Sequence, residues 1–355
     1  MEPRVTRAAG TTGPTEVLPE SEWRARAEAH GRRIDGWLDG DLARRHRHGR
    51  HSIEEFLLTY YSFKPGQLRR WHPGYGIGLA GANVAEFGPL YAVDPEGHVV
   101  LDAPAIFRRR SESIQWMYRL LVATAGRAAH FGCFGMHEWA MVYRQTEAET
   151  RHNILPLRLD PDATSAVVDE LKVRCSHFDA FRFFTPPARP LNLLQLTRES
   201  QTDHEQPGCL HANMDVYRWA YKLSPLTPSE LVADCFGLAR EIRTLDMRAS
   251  PYDLIDLGLY PLPVETPEGR AEYVRQQRAF AERAAVLRQR LIEVVGAALS
   301  ELRLLGSEPD ELRESMRRRQ PATAWARSLP NASTAALSRS SASGAADLLP
   351  PSASA

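Results

Sequence analysis

Residues 267–304 carry the feature that most restricts the fold of this chain, a long apolar stripe at helical spacing. Its members recur mostly at steps of three and four and are Ala279, Phe280, Ala284, Leu287, Leu291, Val294 and Val295. A Thr-Pro-Glu start signal precedes it at residues 266–268. At 1.5 Å per residue such a helix reaches about 55 Å. A helix of this length has to flank a whole domain, so the fold is predicted to be built around it.

Other segments predict more helix than strand. Apolar periodicity and start signals predict helices over 22–37, 111–125, 137–144, 163–173, 211–223 and 230–244. Residues 90–93 and 98–101 flank an Asp-Pro-Glu-Gly turn and predict a β-hairpin. Residues 154–159 and 181–184 are weaker strand predictions. The fold class is therefore predicted as mainly α, a single helical domain with a small β-hairpin element and a long C-terminal helix.

The two ends of the chain differ in composition from its body. Residues 1–20 are rich in Gly, Pro, Thr and Glu, and residues 307–355 are rich in Ala, Ser and Pro. Such segments cannot bury enough apolar surface to offset the entropy cost of ordering. We therefore expect disordered tails at 1–20 and 307–355 and one helical catalytic or binding domain at 21–306.

Charge and cysteine content restrict partners and compartment. Lys+Arg 44 against Asp+Glu 44 gives a net charge of +0, so nucleic-acid binding would need a local basic patch. The arginine-rich runs at 44–51, 108–110 and 317–319 are candidates for one, or are solvated faces. Four cysteines do not form a disulfide framework in a chain this long. With no leader and no apolar run of spanning length, the prediction is a cytoplasmic protein with no membrane association and no evident obligate protein partner.

Residues 130–144 concentrate reactive side chains, among them Cys133, His137 and Glu138. One interpretation is a site in which Glu138 is a base or electrostatic stabiliser and Trp139 is a stacking surface. The alternative is a buried loop-to-helix junction whose His and Glu satisfy backbone groups.

Residues 206–219 form a second such segment. His211 and Asp215 are four residues apart and share a helix face, where they could orient a water or bind a metal. The alternative is a contact that caps the helix. Together the two segments offer Cys133, His137, Cys209 and His211 as a tetrahedral zinc set, although the Cys-x3-His and Cys-x-His spacings are not those of known zinc modules. Otherwise the cysteines are small buried apolar residues.

A third segment, residues 240–253, alternates charges. Arg243 and Arg248 could clamp a phosphate or carboxylate beside a helix start. The favoured alternative is a salt-bridged helix end.

The sequences of residues 52–74 and 130–144 resemble a group of actinobacterial proteins commonly labelled 3-methyladenine DNA glycosylases. The resemblance covers most of residues 21–306. It implies base excision repair, in which an alkylated purine is flipped out of double-stranded DNA and its glycosidic bond is broken. No cofactor is predicted for this activity, and a metal ion stays open as an alternative.

This activity requires an aromatic pocket for the flipped base, a carboxylate for the oxocarbenium-like transition state and a basic surface for the DNA backbone. Trp139, Tyr143 and Trp219 could stack on the base, and the arginine runs could hold phosphate. Glu138 is the first candidate for the carboxylate, followed by Asp215. The run His-Pro-Gly-Tyr-Gly at 72–76 partly matches the hairpin of helix-hairpin-helix glycosylases, with Asp94 in the catalytic place; the alternative is a glycine-rich loop before the β-hairpin.

Two further hypotheses belong to other classes. One is a metal-dependent helical enzyme acting on a small molecule, with His137, Glu138, His211 and Asp215 as ligands. Iron or manganese suits nitrogen and oxygen donors of this kind better than zinc. The other is a non-enzymatic helical protein whose Trp/His/Arg pocket binds an anion.

Overall fold

The computed structural model describes residues 14–48, 53–146 and 155–305. This part of the chain is mainly helical, as predicted. Its helices are α1 (Glu20–His48), α2 (Ile53–Tyr60), α3 (Pro65–Arg69), α4 (Val84–Phe87), α5 (Ala103–Ala125), α6 (Met136–Ala140), α7 (Pro161–Glu170), α8 (Phe178–Phe181), α9 (Gln201–His204), α10 (Leu210–Leu223), α11 (Ser229–Ala249) and α12 (Pro267–Leu305). None of the described helices has both the length and the apolar character needed to cross a bilayer.

The core forms where α10, α11 and α12 pack together, with α5 against α12. The apolar stripe predicted for the C-terminal helix is confirmed at Ala284, Leu291 and Val295, which are fully buried, whereas Ala279 is exposed. Thr266 caps α12, and its hydroxyl accepts a hydrogen bond from the backbone N–H of Gly269 at 3.0 Å. The long helix therefore supports the two helices that carry much of the site described below.

A four-stranded sheet lies beside the helices. Its strands are β1 (Glu16–Leu18), β2 (Ile77–Leu79), β3 (Tyr91–Val93) and β4 (Val99–Leu101), in the order β1-β2-β4-β3. The predicted hairpin is confirmed, since β3 and β4 pair antiparallel with Ala92 opposite Val100. The sheet is larger than predicted because β1 adds to β2 in parallel.

The prediction of a tail up to residue 20 is wrong at its end. Leu18 is 1% exposed in the core, and the backbone of residues 16–18 pairs with β2. Burial of this side chain and the strand pairing outweigh the loose composition of the segment. Residues 1–13 and the predicted C-terminal tail at 307–355 lie outside the described residues, as do the side chains of the basic run 44–51 and all of 317–319.

Both weaker strand predictions are wrong for the described residues. Phe181 ends α8 and Phe184 follows in a turn; their rings pack 5.2 Å apart because a three-residue step brings them to one face of a helical turn. In the range 154–159, Leu157 makes only an isolated bridge to Tyr252, and residue 154 is not described. The helix predicted over 137–144 is shorter than expected, and by Arg144 the backbone has a φ of 53°.

The helix-hairpin-helix interpretation is also wrong. Gly76 leads directly into β2 rather than into a helix. Gly74 has a φ of 95°, and a Cβ there would lie 2.9 Å from the backbone nitrogen of Pro228, so glycine is required by a close approach. Asp94 accepts hydrogen bonds from the backbone N–H groups of Glu96 and His98 at 2.9 and 2.8 Å, which makes it part of the hairpin turn.

Candidate functional site

The two segments rich in reactive side chains meet in space. The side-chain oxygen of Gln206 accepts hydrogen bonds from the backbone N–H of His130 at 2.8 Å and of Gly208 at 2.7 Å, and its nitrogen donates to the His130 carbonyl. A Cβ on Gly208 would lie 2.5 Å from that carbonyl oxygen. Glycine therefore allows the loop before α10 to approach the loop before α6.

A pocket of about 790 Å³ lies where these loops converge. Cys133, His137, Cys209 and His211, the four residues considered for zinc, all line it, and Cys175 joins them. Further lining residues include Phe131, Tyr273, Gln277, Arg127, Arg174 and Arg278. The sequence placed these imidazoles and thiols in separate segments, and the fold brings them to one pocket.

Three side chains from α6, α10 and α11 form a buried donor group, which we call the pocket triad: His137, His211 and Asp246. Nε2 of His137 lies 2.8 Å from Oδ1 of Asp246, and the rings of His137 and His211 meet edge-to-face with centroids 4.4 Å apart. One donor atom from each residue lies within 4.8 Å of the other two. The residues are 2%, 8% and 1% exposed, so bulk water competes little for these donors.

The negative charge of Asp246 in the pocket triad is compensated by cationic neighbours. Burial lowers the pKa of His137, but the carboxylate of Asp246 outweighs it and the net shift is well upward. Burial raises the pKa of Asp246, yet His137, His211 and Arg243 bring it well below its ordinary value. Arg243 donates to Asp246 at 2.8 Å and to Glu138 at 3.0 Å. The pocket triad thus has one carboxylate, held by a guanidinium behind it.

His211 differs from the other two members of the pocket triad in its hydrogen bonding. Neither of its ring nitrogens is hydrogen-bonded to another residue in the described part of the chain, and it lines the pocket. Burial, together with nearby His137, lowers its pKa to about 3. The imidazole of His211 is therefore neutral at pH 7 and presents a free nitrogen lone pair beside the pocket.

A second buried group, which we call the inner triad, comprises His177, Glu205 and Asp215. Nε2 of His177 lies 3.2 Å from Oδ2 of Asp215 and 3.3 Å from Oε1 of Glu205, and each of the three residues is 1% exposed. Their donor atoms also lie within 4.8 Å of one another. His211 connects the triads, since its ring stacks on that of His177 with centroids 5.3 Å apart.

Partners around the inner triad fix its orientation. The Tyr61 hydroxyl donates to Oδ1 of Asp215 at 2.7 Å, and Gln201 donates to Glu205 at 2.7 Å. Arg218 lies 2.5 Å from Asp179 and 3.3 Å from Asp215. Burial raises the pKa of Asp215, but Arg218, His177 and Tyr61 overcome it, so the net shift is downward. Glu205 has no salt bridge with a lysine or arginine among the described residues, and burial raises its pKa.

The predicted carboxylates take different places from those expected. Glu138 is 5% exposed, pairs with Arg243 and does not line the pocket; burial and nearby Asp246 raise its pKa. Asp215 belongs to the inner triad rather than to a pair with His211. Of the predicted catalytic residues, His137 and His211 are the two that line the pocket.

The predicted stacking residues are buried in the core. Trp139 donates from its indole nitrogen to the Ala249 carbonyl at 3.0 Å, and the Tyr143 hydroxyl donates to Asp169. Trp219 packs edge-on against Trp116. None of these three predicted residues lines the pocket.

Arg243 and Arg248 make separate contacts. Arg243 is buried against Glu138 and Asp246, whereas Arg248 donates to the carbonyl of Tyr260 at 2.9 Å. Arg243 therefore follows the salt-bridged alternative, and Arg248 is engaged by a different part of the chain.

Sequence reasoning missed His177, Glu205 and Asp246. A signal existed for the first of these, because Cys175-x-His177 repeats the Cys-x-His spacing of Cys209 and His211. Asp246 lay inside the charged segment 240–253, but nothing in its spacing separated it from the other acids there. Sγ of Cys133 lies 3.5 Å from Nδ1 of His137, although the close donor groups of the described residues contain no thiol.

No protein-family model, curated protein or solved structure matches this chain.

Proposed function

We propose that this chain is a metal-dependent enzyme that binds a divalent transition-metal ion through the pocket triad and acts on a small molecule in the adjoining pocket. The observation that carries the proposal is the triad itself. Two imidazoles and one carboxylate, each less than a tenth exposed, bring one donor atom apiece within 4.8 Å of one another, and both imidazoles line the pocket.

The donor set favours ferrous iron. Two histidines and one carboxylate that leave other positions open are the ligand set of non-haem Fe(II) sites. Neighbouring ligands in such an octahedral shell lie about 3 Å apart, because each sits about 2.1 Å from the ion. The 2.8 Å separation between His137 and Asp246 is close to that edge. The free nitrogen of His211 then completes the set beside the pocket, where a substrate or water can occupy the open positions.

The pocket rim supports an anionic small molecule as the substrate. Arg127, Arg174 and Arg278 line the pocket, and none of them forms a salt bridge with another described residue. Arg127 is held by the backbone carbonyls of Glu205, at 2.7 Å, and of Thr202. Three guanidiniums without carboxylate partners favour a substrate that carries carboxylate or phosphate.

The test is Fe(II) binding under anaerobic conditions, followed by metal analysis of the desalted protein. Wild type is expected to retain iron, and His211→Ala and Asp246→Asn are expected to weaken its binding about 100-fold or more. His130→Ala is the matched control, because His130 is an exposed imidazole on the same pocket and belongs to neither triad. Folded wild type that retains neither iron nor manganese would contradict the proposal.

DNA glycosylase activity is the second candidate. What supports it is an aromatic ring at the arginine-lined pocket: Arg278 lies 4.4 Å over the ring of Phe131, and Tyr273 also lines the pocket. A flipped purine would then stack on Phe131 rather than on the buried tryptophans. The test is release of free base from alkylated duplex DNA, in the presence and absence of chelator. Base release that is unaffected by chelator and is lost in Phe131→Ala would favour this candidate over the metal-dependent one.

A further inference from the structure

We propose that the inner triad of His177, Glu205 and Asp215 binds a second divalent metal ion, so that the protein holds a two-ion centre with His211 between the ions. This inference rests on the proposed function for the pocket triad. It goes beyond it by assigning a second site, whose residues do not line the pocket.

The donor atoms of the inner triad are spaced like the ligands of one metal ion. Nε2 of His177 faces two carboxylate oxygens at once, at 3.2 and 3.3 Å. A single N–H proton can point well at only one of them. An ion can be coordinated by all three atoms together, and these separations are close to the edges of a metal coordination shell, which are about 3 Å.

The inner triad places two carboxylates close together in a buried environment. The closest carboxylate oxygens of Glu205 and Asp215 lie within 4.8 Å of each other in a buried environment, where like charges repel strongly. Arg218 binds mainly to Asp179. Of the two carboxylates in the inner triad, it forms a salt bridge with Asp215 and none with Glu205. Glu205 receives a hydrogen bond from neutral Gln201 and forms no salt bridge with a described lysine or arginine. Buried Arg288 acts on Glu205 electrostatically, but it donates its hydrogen bond to Asn213 at 2.7 Å. The imidazolium of His177 can offset one of the two negative charges, whereas a divalent ion coordinated by His177, Glu205 and Asp215 would neutralise both carboxylates.

His211 lies between the two triads. Its ring contacts His137 of the pocket triad and His177 of the inner triad, with centroids 4.4 and 5.3 Å apart. The two donor groups are therefore neighbours rather than separate features of the fold. Paired ions of this kind can share the work of positioning a substrate and stabilising its charge.

A third group of close donors supplies a contrast. Asp94, Glu96 and His98 also bring donor atoms within 4.8 Å, but Glu96 is exposed and the Asp94 carboxylate already caps the backbone of the hairpin turn. We assign no ion to this group, and Asp94→Asn serves as the control variant.

The experiment is an anaerobic titration of the full chain with Fe(II), followed by metal analysis and Mössbauer spectroscopy of the ⁵⁷Fe-loaded protein. Wild type and Asp94→Asn are expected to bind about two ions per chain, seen as two ferrous sites in the Mössbauer spectrum. Glu205→Gln and His177→Asn are expected to bind about one ion, because the pocket triad is intact in both.

The stoichiometry of wild type decides the inference even if a buried variant does not fold. About one ion per chain in wild type, lost in Asp246→Asn, would overturn the second site and leave the proposed function standing. Two ions that persist in folded Glu205→Gln would also overturn it. No bound metal in folded wild type would overturn both.

Discussion

His211 and Asp215 lie four residues apart on α10, yet their side chains belong to different donor groups. His211 meets His137 edge-to-face, whereas Asp215 binds His177 and the hydroxyl of Tyr61. One helix therefore supplies a residue to each triad. The placement of the first turns of α10 sets the geometry of both, so changes that move this helix start are expected to affect the whole site.

Gly208 is the residue that controls this helix start. A Cβ there would lie 2.5 Å from the carbonyl oxygen of His130, a backbone atom that cannot swing away. We expect Gly208→Ala to lower the free energy of unfolding by about 1–3 kcal/mol and to weaken iron binding, because the two loops must separate. Urea denaturation and metal analysis measure the two effects. Gly36→Ala is the control, since an added Cβ meets nothing within 4 Å there, and a loss of stability as large in Gly36→Ala would argue against this explanation.

Arg243 compensates two buried carboxylates. It donates to Glu138 at 3.0 Å and to Asp246 at 2.8 Å, and all three residues are less than a tenth exposed. Arg243→Met is expected to cost about 3–5 kcal/mol of unfolding free energy, because it leaves buried charge unpaired.

The coupling between Glu138 and Arg243 tests that cause. In the double variant Glu138→Gln/Arg243→Met, one of the two unpaired charges is removed, so part of the stability is expected to return. Denaturation of the two single variants and the double variant completes the cycle. Strictly additive losses would show that the pair is not coupled.

His72 is expected to make the protein less stable in mild acid. Burial, with smaller effects from nearby Arg70 and His30, lowers its pKa to about 4. The unfolded chain takes up the proton near pH 6.5, whereas the folded state resists it until about pH 4. Stability is therefore full above about pH 6.5 and is lost as the pH falls toward 4, by about 1–3 kcal/mol for this half-buried group.

The measurement is the free energy of unfolding between pH 4 and 7 for wild type and His72→Gln. The variant is expected to lose this part of the pH dependence. Tyr91→Phe is the control, because it removes the hydroxyl that lies 3.0 Å from Nδ1 of His72 while burial of the imidazole persists. Equal pH slopes in His72→Gln and wild type would refute the assignment.

How much of this could be read from the sequence differs between fold and site. Helices α10 and α12 begin and end within one residue of the predicted ranges, because apolar periodicity and, for α12, the Thr-Pro-Glu start signal are local properties. His137 and His211 were predicted for the same reason, since each stands in a short segment of unusual composition. His177 and Glu205 lie next to short helices, at 178–181 and 201–204, and no local periodicity indicates which loops will converge.

The prediction for the aromatic residues of segment 130–144 illustrates the same limit. The sequence predicts Trp139 and Tyr143 as stacking surfaces, but these large rings, on and just after α6, gain more from burial in the core than from facing a pocket. Phe131 lines the pocket but is not predicted from the sequence. The sequence alone does not show which aromatic residues of this segment face the pocket and which face the core.

The pocket thiols are expected to differ in reactivity. Cys133 and Cys209 line the pocket and are half-buried, whereas Cys235 is 1% exposed in the core. Burial raises the pKa of the Cys209 and Cys235 thiols well above the ordinary value, which slows their alkylation. We expect N-ethylmaleimide to modify Cys133 first and Cys235 only after denaturation, as followed by peptide mass spectrometry. Labelling of Cys235 at the rate of Cys133 in native protein would contradict the burial described here.

The arginine rim is expected to bind anions. Arg174 packs over the loop of residues 131–133, where a Cβ on Gly132 would lie 3.7 Å from its side chain, and Arg278 covers the ring of Phe131. The double variant Arg174→Ala/Arg278→Ala is therefore expected to bind inorganic phosphate about 10-fold more weakly than wild type, which corresponds to about 1.4 kcal/mol. Isothermal titration at two salt concentrations measures the affinity and its screening.

The matched control for the rim is Arg275→Ala. Arg275 lies on the same helix as Arg278, is exposed and is engaged by Glu272 at 2.6 Å. Because its charge is already paired and it does not line the pocket, its removal is expected to leave phosphate affinity unchanged. Equal weakening in Arg275→Ala would mean that phosphate responds to the general charge of α12. Weakening confined to the double variant would place the anion at the pocket rim, whether or not the two triads are loaded with metal.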